Sequence, residues 1–283
     1  MIWFYGEIYK LYHCTFSAMN QIKKILIALW GEKKYLAFLA LGFQRFYSAH
    51  ILGINYQDIY FLKKIIAEGD YCIDIGAHLG YYTVEMSRIV GNSGKVFAIE
   101  PMSKFQETLR GLLIKKRIAN VELYQCALGG GAEFVDMGIP LIGNAKKYGY
   151  SRVMESSAYY TYVETEKVKN ESGDALFAGL MKVNFIKCDV EGLEVAVFTS
   201  LMDTIAKNRP VLLCELADKN ERIKLYEMLL PFNYEIFILR DGKLHHLHAG
   251  SDQRAISHNH YFIPGSALEK FSAHIQQQDF SKD

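Results

Sequence analysis

The stretch DIGAHLGYYT, residues 74–83, carries the chain from the end of a short apolar run, YCIDI, into a segment with helical spacing. An acid at a strand end, a glycine turn and a helix start together form a concave notch lined with backbone N–H donors. Glu100 ends the next apolar run, KVFAIE, where a carboxylate can accept hydrogen bonds from both hydroxyls of a ribose. These two strand ends predict a site for a nucleoside cofactor.

The glycine spacing separates two classes of nucleoside cofactor. A nicotinamide dinucleotide is bound by G-x-G-x-x-G, in which the glycines let the backbone approach a pyrophosphate. Here three residues separate Gly76 from Gly80, and Ala77 and His78 fill the loop. S-Adenosylmethionine has no phosphate and tolerates these side chains, so we expect it rather than a dinucleotide. A structural turn without a ligand is the plainer alternative.

Composition indicates a globular protein. The chain has 283 residues, 50% of them hydrophobic, which is enough to bury one substantial core. A net charge of +1 gives no electrostatic footprint for nucleic acid, so we expect no nucleic-acid partner. Five single cysteines without C-x-x-C spacing argue against a disulfide framework or a zinc knuckle, so we expect buried thiols and a cytoplasmic protein.

Helical spacing dominates residues 1–54, which we predict to form an α-helical extension in front of a domain at residues 55–283. In this extension lysines and Arg45 are set among Trp30, Phe38, Phe43 and Phe46. A segment of this kind either lies peripherally on an anionic membrane or packs against the domain or a partner. We favour the packing interpretation.

From residue 71 onward, apolar strands alternate with helical segments. This pattern predicts a mostly parallel sheet with helices on both faces. Residues 129–171 break the alternation and contain the run YGYSRVMESSAYYTY, which predicts an insert that acts as a substrate-facing lid. Its tyrosines either stack on sugar rings or form the aromatic edge of an antiparallel ribbon.

Carboxylates follow several of the predicted strands, and ligands of an open α/β sheet bind beyond the carboxyl ends of its strands. The acids at these ends are Asp74, Glu100, Asp189, Glu191 and Glu215. Five carboxylates at one edge repel each other unless they face a cation, a metal ion or hydroxyl groups. We expect Asp74 to act through the loop amides and the cofactor's ammonium group, and Glu100 through the ribose.

The third and fourth strands complete the predicted site. Ala127, at the end of the third strand, VELYQCAL, is expected to flank the adenine. Asp189 and Glu191 follow the fourth strand, and either carboxylate is a candidate general base for a hydroxyl acceptor held in line with the S-methyl bond. Glu191 also stands near a helix start, where it would only complement the helix dipole. With Glu215 these acids suit Mg²⁺, so metal-assisted transfer is a variant of this prediction.

Five motifs in chain order, DIGAHLGYYT, AIEP, CALGGG, FIKCDVEGLE and RPVLLCEL, resemble the FkbM family of S-adenosylmethionine-dependent methyltransferases. The resemblance covers roughly residues 55–265. It implies the class I methyltransferase fold, a Rossmann-like α/β sheet of seven strands. It also implies O-methylation of a hydroxyl on a sugar, a glycan or a polyketide-type molecule.

Site residues follow from the strand ends and from the resemblance together. The predicted cofactor-binding residues are Asp74, Gly76, Ala77, His78, Gly80, Glu100, Ala127 and Asp189, and the predicted catalytic residues are Asp189 and Glu191. We expect an enzyme that moves a methyl group from S-adenosylmethionine to a hydroxyl of a carbohydrate-containing acceptor. A methyltransferase-like domain that binds without turnover is one alternative. A nicotinamide-dependent oxidoreductase is a second, less favoured one.

Overall fold

The computed structural model describes residues 21–51, 53, 56–143, 145–154, 160–247 and 258–276. Residues 1–20 of the predicted extension, with Cys14, and Tyr159 of the tyrosine-rich run lie outside the described residues. The strands are β1 (Tyr71–Ile75), β2 (Lys95–Ile99), β3 (Val121–Tyr124), β4 (Ala127–Leu128), β5 (Phe134–Ile142), β6 (Ala145–Lys146), β7 (Arg152–Val153), β8 (Thr161–Glu171), β9 (Phe185–Cys188), β10 (Val211–Glu215), β11 (Tyr234–Arg240), β12 (Lys243–His246) and β13 (Asn259–Pro264).

A helical stretch at residues 21–30 precedes the other helices. These are α1 (Glu32–Ser48), α2 (Gln57–Ile65), α3 (Tyr81–Val90), α4 (Ser103–Lys116), α5 (Gly173–Phe177), α6 (Glu194–Thr199), α7 (Met202–Asn208), α8 (Lys219–Leu229) and α9 (Leu268–Phe271). Gly31 has a positive φ of 77°, and this residue separates the first helical stretch from α1.

The main sheet has eight strands in the order β12-β11-β13-β10-β9-β1-β2-β3. The pairs β1–β2, β1–β9, β9–β10 and β2–β3 are parallel, and β13 runs antiparallel to both of its neighbours, β10 and β11. One buried cluster packs α5, α6 and α8 on one face, and a second packs α2 and α3 on the other, so both faces are covered. The mostly parallel α/β prediction is confirmed.

The predicted count of seven strands is wrong by one edge strand. β12 pairs antiparallel with β11 through a tight turn at Asp241 and Gly242, both of which have positive φ. An Asp-Gly pair is typical of such a two-residue hairpin turn. The sequence therefore contains a local signal for the eighth strand.

The run VELYQCAL, predicted as one strand, divides between two sheets. Its first half is β3 in the main sheet, whereas β4 pairs in parallel with β8 of a second sheet. That second sheet has the order β4-β8-β5-β6, with β7 paired to β5. The insert predicted at residues 129–171 is thus mostly an antiparallel ribbon of β5 and β8.

The described part of the extension packs on the domain. Tyr35, Leu36 and Ala40 of α1 are buried in one cluster with Leu109 of α4 and Leu79. Each large apolar side chain buried in this way contributes about 1.5–3 kcal/mol. Within the described ranges, no helix combines the length and apolar character that crossing a membrane requires.

Candidate functional site

A cavity of about 450 Å³ lies where the carboxyl ends of β1, β2 and β9 meet the second sheet and α1. This volume is within the range of about 300–1,000 Å³ that is typical of small-molecule sites. The predicted residues that line it are Gly76, Ala77, His78, Glu100, Ala127, Asp189 and Glu191. Asp74 and Gly80 do not line the cavity, and each contacts other protein groups instead.

Gly76 is needed because the loop after β1 runs against the end of β9. Its φ is +75°, and a Cβ added there would stand 1.9 Å from the backbone oxygen of Asp189. The backbone N–H groups of Gly76 and Ala77 both donate to the carbonyl of Ile99, at 3.0 Å each. The absence of a side chain at Gly76 therefore makes room for a neighbouring strand end.

Gly80 serves packing rather than ligand contact. It is the N-cap of α3 with a φ of +82°, and an added Cβ would stand 2.4 Å from Cδ1 of Leu109 on α4. Its backbone therefore allows α3 and α4 to approach each other closely.

Asp74 is completely buried and faces protein groups. One of its oxygens accepts a hydrogen bond from Thr83 Oγ1 at 2.5 Å, and the other lies 3.7 Å from Lys187 Nζ. Burial raises the pKa of Asp74, while Lys187 and Thr83 oppose this rise. The predicted contact between this side chain and the ammonium group of a cofactor does not fit this burial.

Lys187 is the central charged group that sequence reasoning missed. Its Nζ lies 3.3 Å from Asp189 and donates to the carbonyl of Gly76 at 3.1 Å. Burial alone would lower the pKa of Lys187, but Asp189 and Asp74 raise it above its ordinary value. This lysine is the cation that the carboxylates at the sheet edge require.

A signal for Lys187 was present in the sequence. It stands in the middle of the run FIKCDV, where the neighbouring residues of the strand are apolar and buried. A lysine is almost never fully buried unless it is paired, so a lysine inside a buried strand indicates a carboxylate partner.

Glu100 holds the backbone on both sides of the cavity floor. Its oxygens accept hydrogen bonds from the N–H of His78 at 2.8 Å and from the N–H of Met102 at 2.9 Å. Burial raises the pKa of Glu100 to about 7, and these two N–H groups oppose the rise. Each carboxylate oxygen has a second lone pair, which is left for a ligand hydroxyl.

His78 presents a neutral imidazole to the cavity. Burial lowers the pKa of His78 to about 4. The centroids of the His78 and Phe105 rings are 4.4 Å apart. Its Nε2 atom is buried and has no hydrogen-bond partner within the described residues. The loop conformation is strained here, because His78 has a φ of +48°.

Glu191 joins the main sheet to the insert. Its carboxylate is 2.9 Å from Arg152 of β7, and burial together with Asp189 raises the pKa of Glu191 to about 7. The helix-dipole interpretation of Glu191 is not supported, because the acid in the first turn of this helix is Glu194. The carboxylate of Glu194 accepts hydrogen bonds from the N–H groups of Val190 and Gly192 at 3.1 Å.

Metal ligation by these acids finds no support in the arrangement of the side chains. Arg152 and Lys187 are paired with Glu191 and Asp189, and Glu215 is not part of the cavity lining. Across the part of the chain that the structure describes, no group of three or more histidine, cysteine, aspartate or glutamate side chains is arranged to hold a metal ion.

Comparison with known proteins shows which family the chain that carries this site belongs to. The sequence profile of the Methyltransferase FkbM domain matches residues 74–249, which is more than half of the chain. This chain belongs to the FkbM methyltransferase family. Its cofactor is therefore S-adenosylmethionine, and the nicotinamide alternative is not supported.

Solved structures similar to this FkbM methyltransferase are distant in sequence. The methyltransferase FkbM from Methylobacillus flagellatus is 17% identical with a TM-score of 0.49, over 83% of this chain and 52% of that one. An S-adenosylmethionine-dependent O-methyltransferase from Thermotoga maritima is 14% identical with a TM-score of 0.42. This match covers 73% of this chain and 63% of that one. The chain thus spans about half the length of the solved FkbM protein. No curated protein matches it.

The residues of the FkbM methyltransferase cavity fit S-adenosylmethionine. Glu100 can accept hydrogen bonds from ribose hydroxyls, and the apolar residues Ile99, Ala127 and Leu128 of the lining suit an adenine. Asp189 and Glu191 lie at the edge of β9, where an acceptor can approach. When bound, the cofactor supplies an electrophilic methyl group.

The far wall of the methyltransferase cavity is built by the extension and the insert. Lys23, Tyr35 and Leu39 line it from the N-terminal side, and Tyr148 and Tyr150 line it from the insert. These tyrosines are at the cavity, whereas Tyr160 and Tyr162 lie at the start of β8 on the ribbon.

Glu32 of α1 connects the extension to the insert in this wall. Its carboxylate accepts a hydrogen bond from the Tyr148 hydroxyl at 2.5 Å and pairs with Lys104 at 2.8 Å. Burial would raise the pKa of Glu32, but these two partners lower it to about 2. The extension is therefore part of the site as well as a cover of the domain.

Replacement of Glu100 by alanine is expected to weaken S-adenosylmethionine binding by about tenfold or more. The reason is that the N–H groups of His78 and Met102 lose their acceptor, and each unsatisfied buried donor costs about 1–3 kcal/mol. The measurement is calorimetric titration. Glu122→Ala is the matched control, since Glu122 is half-exposed on β3 and pairs with Lys95. Equal affinity of both variants would contradict the role assigned to Glu100.

Proposed function

We propose that this FkbM methyltransferase transfers the methyl group of S-adenosylmethionine to a hydroxyl of a sugar or glycan. The observation that carries the proposal is the position of the Glu191 carboxylate, which lines the cavity 2.9 Å from Arg152. Burial and the nearby Asp189 raise the pKa of this carboxylate to about 7. A base with a pKa near neutrality is suited to accept the proton of a hydroxyl as that hydroxyl attacks.

Two further features support a hydroxyl-rich acceptor. Tyr148 and Tyr150 line the cavity, and aromatic rings of this kind can pack against the apolar face of a sugar. Lys187 holds Asp189 in place beside Glu191, so the acceptor meets a pair of oriented carboxylates. Glu191 takes the proton in this proposal, and Asp189 orients the acceptor hydroxyl.

The direct test uses S-adenosylmethionine with a radioactive methyl group and a panel of soluble sugars and oligosaccharides. The proposal predicts that label enters a glycan and resists mild alkali, because a methyl ether is stable there and a methyl ester is not. Label released by alkali, or label found only on amines, would contradict it. Cofactor binding without transfer to any acceptor would instead support a domain that binds without turnover.

Activity is expected to fall as the pH drops through about 7, because protonated Glu191 cannot accept the hydroxyl proton. Arg152 lowers the pKa of Glu191, so Arg152→Gln is expected to move this acid limb upward by about one pH unit. The measurement is kcat/KM against pH. Arg240→Gln, at the exposed end of β11, is the control and should leave the limb in place. An unmoved limb in Arg152→Gln would show that another group governs it.

A further inference from the structure

The described part of the extension carries apolar side chains on two opposite faces. One face is buried on the domain through Tyr35, Leu36 and Ala40. The other face leaves large apolar side chains 43–73% exposed. These are Ile22, Ile25, Leu29, Trp30, Phe38 and Phe46, which we call the outer apolar face.

The outer apolar face is continuous across the break between the two helices. Ile22, Ile25 and Leu29 are spaced by three and four residues, so they lie on one side of the helical stretch 21–30. The Trp30 and Phe38 rings meet edge to face with centroids 5.5 Å apart. This contact joins the first helical stretch to α1 across Gly31.

Positive charge surrounds the outer apolar face. Lys24, Lys34 and Arg45 are exposed on the same two helices. Residues 21–51 contain five lysines and arginines and a single acid, Glu32, whereas the whole chain has a net charge of only +1. Glu32 is turned inward to Tyr148 and Lys104, so its charge is directed away from this face.

We propose that the outer apolar face docks on the surface of an anionic lipid bilayer. Apolar and aromatic side chains flanked by lysine and arginine are the pattern that lies in a membrane interface, with the rings at the acyl boundary and the cations at the lipid phosphates. The basic rim is complementary to anionic headgroups. The docking does not depend on the transfer reaction, since none of the six apolar residues lines the cavity.

Docking would place the cavity beside the bilayer. Lys23 belongs to the same helical stretch but turns inward, with its Nζ 3.9 Å from the centre of the Tyr148 ring. One helix therefore presents its outer side to lipid and its inner side to the acceptor end of the cavity.

The test is sedimentation of the 283-residue chain with vesicles of phosphatidylcholine, with and without phosphatidylglycerol. The wild type is expected to bind the vesicles that contain phosphatidylglycerol, and added salt is expected to weaken this binding. Leu29→Glu/Phe38→Glu is expected to reduce it by about tenfold or more. Met181→Glu/Leu230→Glu is the matched control, because both side chains are exposed elsewhere on the surface, at 84% and 48%.

Each variant is checked by its thermal unfolding and by S-adenosylmethionine titration, so that loss of lipid binding is not loss of fold. A second variant, Lys24→Glu/Lys34→Glu, keeps the apolar residues and tests the charge alone, and it too is expected to lose vesicle binding. Failure of the wild type to bind, or equal binding by the Leu29→Glu/Phe38→Glu variant, would overturn the proposal. A dimer that this variant dissociates would also overturn it, since a second copy would then cover the face.

Discussion

Lys187→Met is expected to lower the free energy of unfolding by about 3–5 kcal/mol and to abolish cofactor binding. Methionine keeps most of the apolar volume, so the change isolates the charge. Without the ammonium group, Asp74 and Asp189 lose the cation that lies 3.7 Å and 3.3 Å from them. The carbonyl of Gly76 also loses its donor, which loosens the loop that lines the cavity.

The loss in Lys187→Met should depend on pH. Lys187 lowers the pKa of buried Asp74, so its removal raises the folded-state pKa of that carboxyl further above the unfolded value. A carboxyl raised in the folded state costs stability as the pH rises toward its folded pKa, because the folded state then resists ionisation. The deficit should therefore be larger at neutral pH than in mild acid.

Urea unfolding of Lys187→Met at several pH values measures both effects. Lys182→Met is the matched control, because Lys182 is exposed, donates to the carbonyl of Gly69 in a loop and has no carboxylate partner within the described residues. The control is expected to change stability by about 0.5 kcal/mol or less. A Lys187→Met protein as stable as the control would refute the assignment of Lys187 as the charge that holds the sheet edge together.

Gly76→Ala is expected to have the second large effect. Turnover or cofactor affinity should fall by about a hundredfold, because displacing the groups of a site by about 1 Å has a cost of this size. The new Cβ would stand 1.9 Å from the backbone oxygen of Asp189, so the loop after β1 and the end of β9 must move apart. The free energy of unfolding should fall by about 3 kcal/mol, because neither backbone can yield cheaply.

Gly131→Ala separates this clash from the cost of a positive φ alone. Gly131 has a φ of +89°, but an added Cβ there meets nothing within 4 Å. This variant is expected to lose about 1–2 kcal/mol from backbone strain and to keep its cofactor affinity. Isothermal titration and urea unfolding of both variants give the comparison. If both lost affinity equally, the close approach at Asp189 would not explain the need for Gly76.

Local pattern was sufficient for the elements that border the cavity. Helix α3 begins at Tyr81 and ends at Val90, and these bounds follow from apolar spacing and from the flanking glycines Gly80 and Gly91, which are local features. The parallel sheet followed from the alternation of apolar strands and helices. The Asp241-Gly242 turn was equally readable, and it marks the edge strand that the count of seven omits.

Pairing between distant segments could not be predicted in the same way. Asp74 and Lys187 face each other across the β1–β9 register although they are 113 positions apart in the sequence. Only the strand order makes their side chains neighbours, so the cation of the site was missed. The same holds for Arg152 and Glu191, which pair although one lies in the insert and the other in the loop that follows β9.

The roles of individual site residues also depend on contacts between segments that are distant in the sequence. Gly76 was predicted as a cofactor-binding residue, but the atom that excludes a side chain there is a backbone oxygen that follows another strand, which no local spacing reveals. Similarly, the run VELYQCAL has uniform apolar character, and it divides only because β4 finds a partner in β8. The type of cofactor was accessible from sequence, whereas the groups that shape its site were not.

Calorimetric titration of the wild-type protein with S-adenosylmethionine, S-adenosylhomocysteine and NAD tests the central claim most directly. The claim is that the cavity above β1, β2 and β9 binds S-adenosylmethionine with Glu100 at its floor. The predicted result is saturable one-to-one binding of the first two ligands, no binding of NAD, and weakened binding in Glu100→Ala but not in Glu122→Ala. Binding of NAD alone, or affinity for S-adenosylmethionine that Glu100→Ala leaves unchanged, would contradict the claim.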